Sequence, residues 1–115
     1  MTQRIWVVRT SAAAKADFKD ILRWTRDRFG TPQAQAYLKT LTLALEALCA
    51  GPQVAGSQLR SDIGPDIYTL HVARQGRHGR HFLVFRARPV QDQPVLELLR
   101  ILHDSMDMKR HLPLH

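Results

Sequence analysis

Near its C-terminus the chain carries the run LLRILHDSMDMKRHL, residues 98–112. It places His103, Asp104 and Ser105 in succession, the side-chain types of a nucleophilic hydrolase. Their spacing argues against that use. Adjacent side chains on a strand leave opposite faces, so His103 and Asp104 do not readily share a proton. Ser105 lacks the Gly-x-Ser-x-Gly turn that exposes a nucleophile. His103 remains able to act alone as a general acid or base, because imidazole titrates near neutrality. The plainer reading is a strand end at His103, with Asp104 or Ser105 capping a short final helix and Asp107 favouring its first turn. Arg100 interrupts an otherwise apolar strand. A guanidinium there must meet a carboxylate, Glu97 and Asp107 being the nearby candidates, or line a groove.

A second reactive set is basic. Between Ile67 and Gln91 there is no Asp or Glu, but there are Arg74, Arg77, Arg80, Arg86 and Arg88, with His71, His78 and His81 among them. The chain's formal net charge is +7. Most of its cations are arginine, whose fork grips phosphates and carboxylates in a way lysine cannot. The stretch reads either as a solvated basic hairpin or as a docking surface for a polyanion or an acidic protein. There is no glycine-rich phosphate loop, and the six histidines show no metal-ligand spacing. No metal and no cofactor is therefore expected. Cys49 is the single cysteine. It excludes an internal disulfide, and its leucine-rich setting points to a small core residue rather than a reactive thiol.

These residues need a scaffold. The 115 residues suit one domain, 1–115, and an apolar fraction of 44% is enough for a single core. No apolar run is long enough to span a membrane or to act as a signal peptide, so a cytoplasmic location is expected. Gln3 to Arg9 reads as a short strand. Ser11 or Thr10 can cap a helix whose stripe is Ala14, Phe18, Ile21, Leu22 and Phe29, with Asp17, Asp20 and Asp27 among the charges of a solvated face. In FGTP, Gly30 can end that helix, and Thr31 can cap a second one with Pro32 in its first turn. The second helix runs to about Ala50 with a stripe of Tyr37, Leu41, Ala44, Leu45 and Leu48. Residues 51–66 read as loop with one short edge strand. Residues 67–73 alternate as a half-buried strand, 81–88 form another, and 95–103 are apolar on both faces, as in an interior strand. The sum is an α+β domain: an N-terminal strand and an antiparallel helical hairpin packed on a small, mainly antiparallel sheet, β-α-α-β-β-β, with a short C-terminal helix.

From about Val8 to Leu112 the chain resembles the ParE branch of the RelE/ParE toxins of bacterial type II toxin–antitoxin modules. One carrier is AAAKADFKDILRWTRDRFGTPQAQAYLKTLTLALEALCAGPQVAG, similar to the family's helical hairpin, with Gly30, Ala34 and Tyr37 in a G-x-x-x-A-x-x-Y spacing. The other is LELLRILHDSMDMKRHL, similar to a closing ILRILH…MD…HL. The resemblance implies a toxin that inhibits DNA gyrase and blocks replication, with contact to DNA. It also implies a cognate ParD-like antitoxin that joins it in a hetero-oligomer, with no membrane involved. That branch offers no catalytic residue to carry over. Arg100, His103 and Asp107 are motif positions, and with Arg74, Arg77, Arg80, Arg86 and Arg88 they are the binding candidates. The RelE branch instead implies ribosome-dependent mRNA cleavage, for which His81, His103 and Arg86 are the candidates. Against it, no Tyr follows Tyr68, and Phe82 stands where that branch tends to carry arginine. A third reading is a family member that binds its antitoxin and no longer kills.

Overall fold

The computed structural model describes residues 5–112. Ser11 begins α1 (Ala12–Phe29). Its Oγ accepts the Ala14 N–H at 3.0 Å and donates to the Leu99 carbonyl at 2.8 Å, so a helix cap also straps the helix to the sheet. Gly30 ends α1 with φ 94, a conformation that glycine adopts without strain. The same residue opens α2 (Thr31–Ala47), so Thr31 is the first helical residue rather than the expected cap. A single 3-10 turn, Leu48–Ala50, continues α2.

The strands are β1 (Val7–Thr10), β2 (Gln58–Leu59), β3 (Ile67–His71), β4 (His81–Ala87) and β5 (Val95–His103), and a last helix, α3, spans Met108–His111. They form one sheet in the order β1-β5-β4-β3-β2. β1 runs parallel to β5, and the other pairs are antiparallel. The edge strand, the meander and the interior position of β5 agree with the sequence reading. The expected start of β1 at Gln3 lies outside the described residues.

The hairpin covers one face of the sheet. Ala14, Leu41, Ala44 and Leu48 pack on Leu70, Leu83, Phe85, Leu96 and Leu98. Two expected core residues are outside it. Phe29, at the tip of the hairpin, is exposed. Cys49 is exposed as well, and Leu48 takes the core position. The opposite face is covered in part by Met108, Leu112 and Ile63, which pack on Ile67, Val84 and Leu102. Strand β3 is therefore buried on both faces over Ile67, Thr69 and Leu70, not half-buried.

Opposite β4, Leu99 is an extra residue in β5: Val84 pairs with Arg100 while Phe85 pairs with Leu98. On its other side β5 loses its neighbour, because β1 ends at Thr10 opposite Leu98. Asp17 fills that gap. Its carboxylate accepts the Ile101 N–H at 2.9 Å, Arg100 Nε at 2.7 Å and Arg100 Nη2 at 2.9 Å. Arg100 Nη1 donates onward to the His111 carbonyl at 3.1 Å. Arg100 thus meets Asp17, not Glu97 or Asp107, and Asp17 is not on the solvated face. Glu97 pairs with Arg86 at 2.8 Å. Asp107, rather than Asp104 or Ser105, caps α3 by accepting the Lys109 N–H.

Replacing Asp17 with Ala leaves a half-buried guanidinium and a strand N–H unpaired, which costs about 2–3 kcal/mol. Asp27→Ala removes only an exposed pair with Arg26 and costs less than about 0.5 kcal/mol. Urea unfolding should show a large midpoint shift for the first and almost none for the second, at unchanged slope. Equal midpoints would contradict the role given to Asp17.

Candidate functional site

Antiparallel pairing sets His81 of β4 opposite His103 of β5. Their rings meet edge to face with centroids 5.3 Å apart. By strand alternation both project to the helix side of the sheet, like Leu83 and Ile101. Tyr37 of α2 reaches them. Its Oη lies 2.7 Å from His81 Nδ1 and accepts the Arg80 N–H at 3.1 Å. The Arg80 N–H takes one lone pair of the phenol oxygen; with the phenol proton assigned to Nδ1, the imidazole hydrogen is on Nε2. At His103, Nδ1 accepts the Ser105 N–H at 3.2 Å and lies 2.7 Å from Ser105 Oγ, so its hydrogen is on Nε2 too.

Asp104 turns away from this pair. It accepts Arg80 Nε, at 3.2 Å to each oxygen, and His71 Nε2 at 3.1 Å. His71 Nδ1 accepts the Ala73 N–H at 3.0 Å, which fixes its tautomer. Arg80 first, then His71, hold the Asp104 carboxyl down to about 2. Burial, and next the neighbouring His103, push His81 down to about 4. Burial raises the Tyr37 phenol above its ordinary value. The His103–Asp104 approach is 3.6 Å, longer than the contacts each makes elsewhere.

An open cavity of about 990 Å³ separates this cluster from the tip of the hairpin. Ile21, Trp24 and Phe29 form its apolar wall; Tyr37, Arg80, His81 and His103 form the polar one. Trp24 and Phe29 are 56% and 63% exposed, and their rings meet edge-on at 5.9 Å. The Arg28 guanidinium lies 5.3 Å over Trp24. Between β3 and β4 the backbone passes so close to Tyr37 that a Cβ at Gly79 would lie 2.9 Å from the phenol and 2.6 Å from Val72. A glycine there sets the depth at which Tyr37 meets His81.

The basic candidates divide. Arg74 donates to the Ala55 carbonyl, and Arg77 ties its loop to α2 through Thr40 Oγ1 and the Ala36 carbonyl, each at 2.8 Å. Arg80 is at the site with its side chain 70% exposed. Arg88 is exposed, and its side chain has no partner among the described residues. Arg86 is five residues from His81, on the other face of β4 and about 17 Å along the strand. The structure therefore joins His81 to His103 but not to Arg86. Arg100 and Asp107 serve the strand and helix contacts described above. Tyr37, His71, Asp104 and Trp24 were not among the site candidates from sequence, although Asp104 was weighed in the His-Asp-Ser run, His71 stood in the basic stretch and the G-x-x-x-A-x-x-Y spacing marked Tyr37. Among the described residues no group of His, Cys, Asp and Glu could hold a metal ion, and no helix is long and apolar enough to cross a membrane.

A helical hairpin over a mixed sheet, with the first strand parallel to the last, is a fold found in solved bacterial toxin–antitoxin systems. The chromosomal ParDE system of Pseudomonas aeruginosa matches with a TM-score of 0.67 at 20% identity, over 87% of this chain and 97% of that one. The toxin–antitoxin complex RelBE2 of Mycobacterium tuberculosis matches with a TM-score of 0.54 at 19% identity, over 86% of this chain and 98% of that one. At such identities the likeness is one of fold. The sequence takes the assignment further. The family described as the ParE toxin of the type II toxin–antitoxin system, parDE, matches residues 8–108, and the chain belongs to it. Toxin ParE1 of Mycobacterium tuberculosis is 31% identical over 102 residues, covering 89% of this chain and 93% of that protein.

The environment of His81 predicts a pH dependence. The fold holds a neutral imidazole among Tyr37, His71, His103 and Asp104. As pH falls below the ordinary 6.5, the unfolded chain takes the proton first. The stabilisation is complete above 6.5 and is lost as pH falls toward 4. Urea midpoints measured between pH 7 and 4.5 should fall less steeply for His81→Gln than for the unaltered protein. Parallel profiles would contradict this environment.

Proposed function

We propose that the chain is a toxin that inhibits DNA gyrase and stops replication, and that a cognate ParD-like antitoxin neutralises it in a hetero-oligomeric complex. The observation carrying this reading is the ParE family match from residue 8 to 108, which includes the hairpin, the meander and the closing strand. The chemistry of the groove supports an inhibitor over a hydrolase. A general base needs a free lone pair facing its substrate. With the Tyr37 proton assigned to His81 Nδ1 and the Ser105 N–H on His103 Nδ1, each ring keeps an Nε2–H donor. A general acid must hold a proton near neutral pH, and His81 releases its own at about 4. The positive net charge favours an acidic partner, either DNA held by gyrase or an acidic antitoxin segment. Such a segment would add apolar anchors and order itself on binding.

A second reading, a ribosome-dependent mRNA endonuclease, draws on one feature: His81 and His103 sit together on an open groove beside Arg80. In that reading Arg80, rather than the distant Arg86, meets the phosphate.

The purified toxin, incubated with gyrase, ATP and plasmid, is expected to accumulate gyrase-cleaved DNA, and the antitoxin is expected to prevent it. In cells expressing the toxin, thymidine incorporation should fall before methionine incorporation. Undisturbed gyrase, with ribosome-bound message cut and methionine incorporation falling first, would favour the endonuclease.

A further inference from the structure

We propose that the groove between Trp24 and the His81–His103 pair binds an unpaired nucleotide of single-stranded DNA, its phosphate on the histidine side and its base against the aromatic side. The choice of DNA rests on the gyrase reading; the pocket itself addresses phosphate and base.

The polar wall is made of donors. His81 and His103 each use Nδ1 inside the protein, which leaves Nε2–H as the remaining polar group of each ring. Arg80 is anchored to Asp104 through Nε alone, so its two terminal nitrogens have no partner among the described residues. A phosphodiester, which carries only acceptors on its two free oxygens, suits that set. Asp20 is the one carboxylate among the residues lining the cavity, and it is exposed on α1, where solvent screens it.

The facing wall asks for a flat apolar group. Trp24 and Phe29 remain more than half exposed although both line the cavity. Bases stack on such side chains without regard to sequence, and arginine beside the ring adds to the attraction. An acidic peptide would satisfy the donors but offers nothing planar to the indole. A duplex would offer phosphate but keeps its base faces stacked on one another. At about 990 Å³ the cavity is at the upper end of the range for small-ligand sites, and its open form lets a strand enter and leave.

The test is fluorescence anisotropy with the full chain and end-labelled oligo-dT, oligo-rU and a duplex of equal length, with no gyrase present. Failure here is thus separable from failure of the gyrase reading, which the cleavage assay judges alone. Oligo-dT is expected to bind on the order of tenfold tighter than the duplex, because only it can stack. Trp24→Leu should weaken oligo-dT on the order of tenfold, and Trp24→Tyr should restore most of the loss. The urea midpoint should not move in either variant, since the ring is exposed. His103→Leu should weaken oligo-dT, because it removes one of the donors facing the phosphate. Equal affinity for duplex and single strand, undiminished binding by Trp24→Leu, or displacement by oligoglutamate as effective as by unlabelled oligo-dT would overturn the proposal. A tenfold preference for oligo-rU would overturn the assignment to DNA.

Discussion

The carboxylate of Asp17 sits where β5 loses its neighbour, and the rest of the domain is arranged around that contact. A strand edge inside a packed domain leaves backbone donors that must find partners. Asp17 supplies one to Ile101 and, with the same group, neutralises Arg100. Ser11 serves a backbone acceptor as well, its Oγ donating to the Leu99 carbonyl. Asp17 of α1 and the cap residue Ser11 thereby do what a longer β1 would have done. Because Arg100 also reaches the His111 carbonyl, α1, β5 and α3 are held by a single guanidinium. The end of β5 that carries His103 follows from that arrangement.

The site repeats the principle on a smaller scale. Each charged or titratable group is assigned a partner by a neighbouring element. Asp104 is shared by Arg80 and His71, from the loop before β4 and the end of β3. Tyr37 links α2 to His81 and to the Arg80 backbone. The groove is left with imidazole N–H donors and Arg80 on one wall and aromatic surface on the other.

The hairpin, the meander, the Ser11 cap and the glycine between the helices were legible because each rests on local pattern or local backbone chemistry. The partner of Arg100 was not. Sequence favoured the nearby Glu97 and Asp107, whereas Asp17 lies 83 residues away and shares the periodicity of a solvated helix face. The pairing of Asp104 with His71 was hidden for the same reason, since it depends on strand register. Cys49 and Leu48 both fit a helical stripe, and only the packing of Leu41 and Ala44 on the sheet decides that Leu48 is inside. The burial of both faces of β3 was unreadable because its second cover includes α3, a helix of four residues. Of the site, His81, His103 and Arg80 were named from residue type and charge. Tyr37 and Trp24 looked like ordinary members of helical faces.

The central claim is that the groove presents imidazole Nε2–H donors, His81 in its neutral form. It is tested most directly by nitrogen-15 NMR of the histidine rings through a pH titration of the free toxin. His81 and His103 should both carry their hydrogen on Nε2 at neutral pH, and His81 should stay neutral until pH approaches about 4. A His81 that titrates near its ordinary value, or a neutral ring of either histidine with its hydrogen on Nδ1, would contradict the account and return the pair to acid–base chemistry.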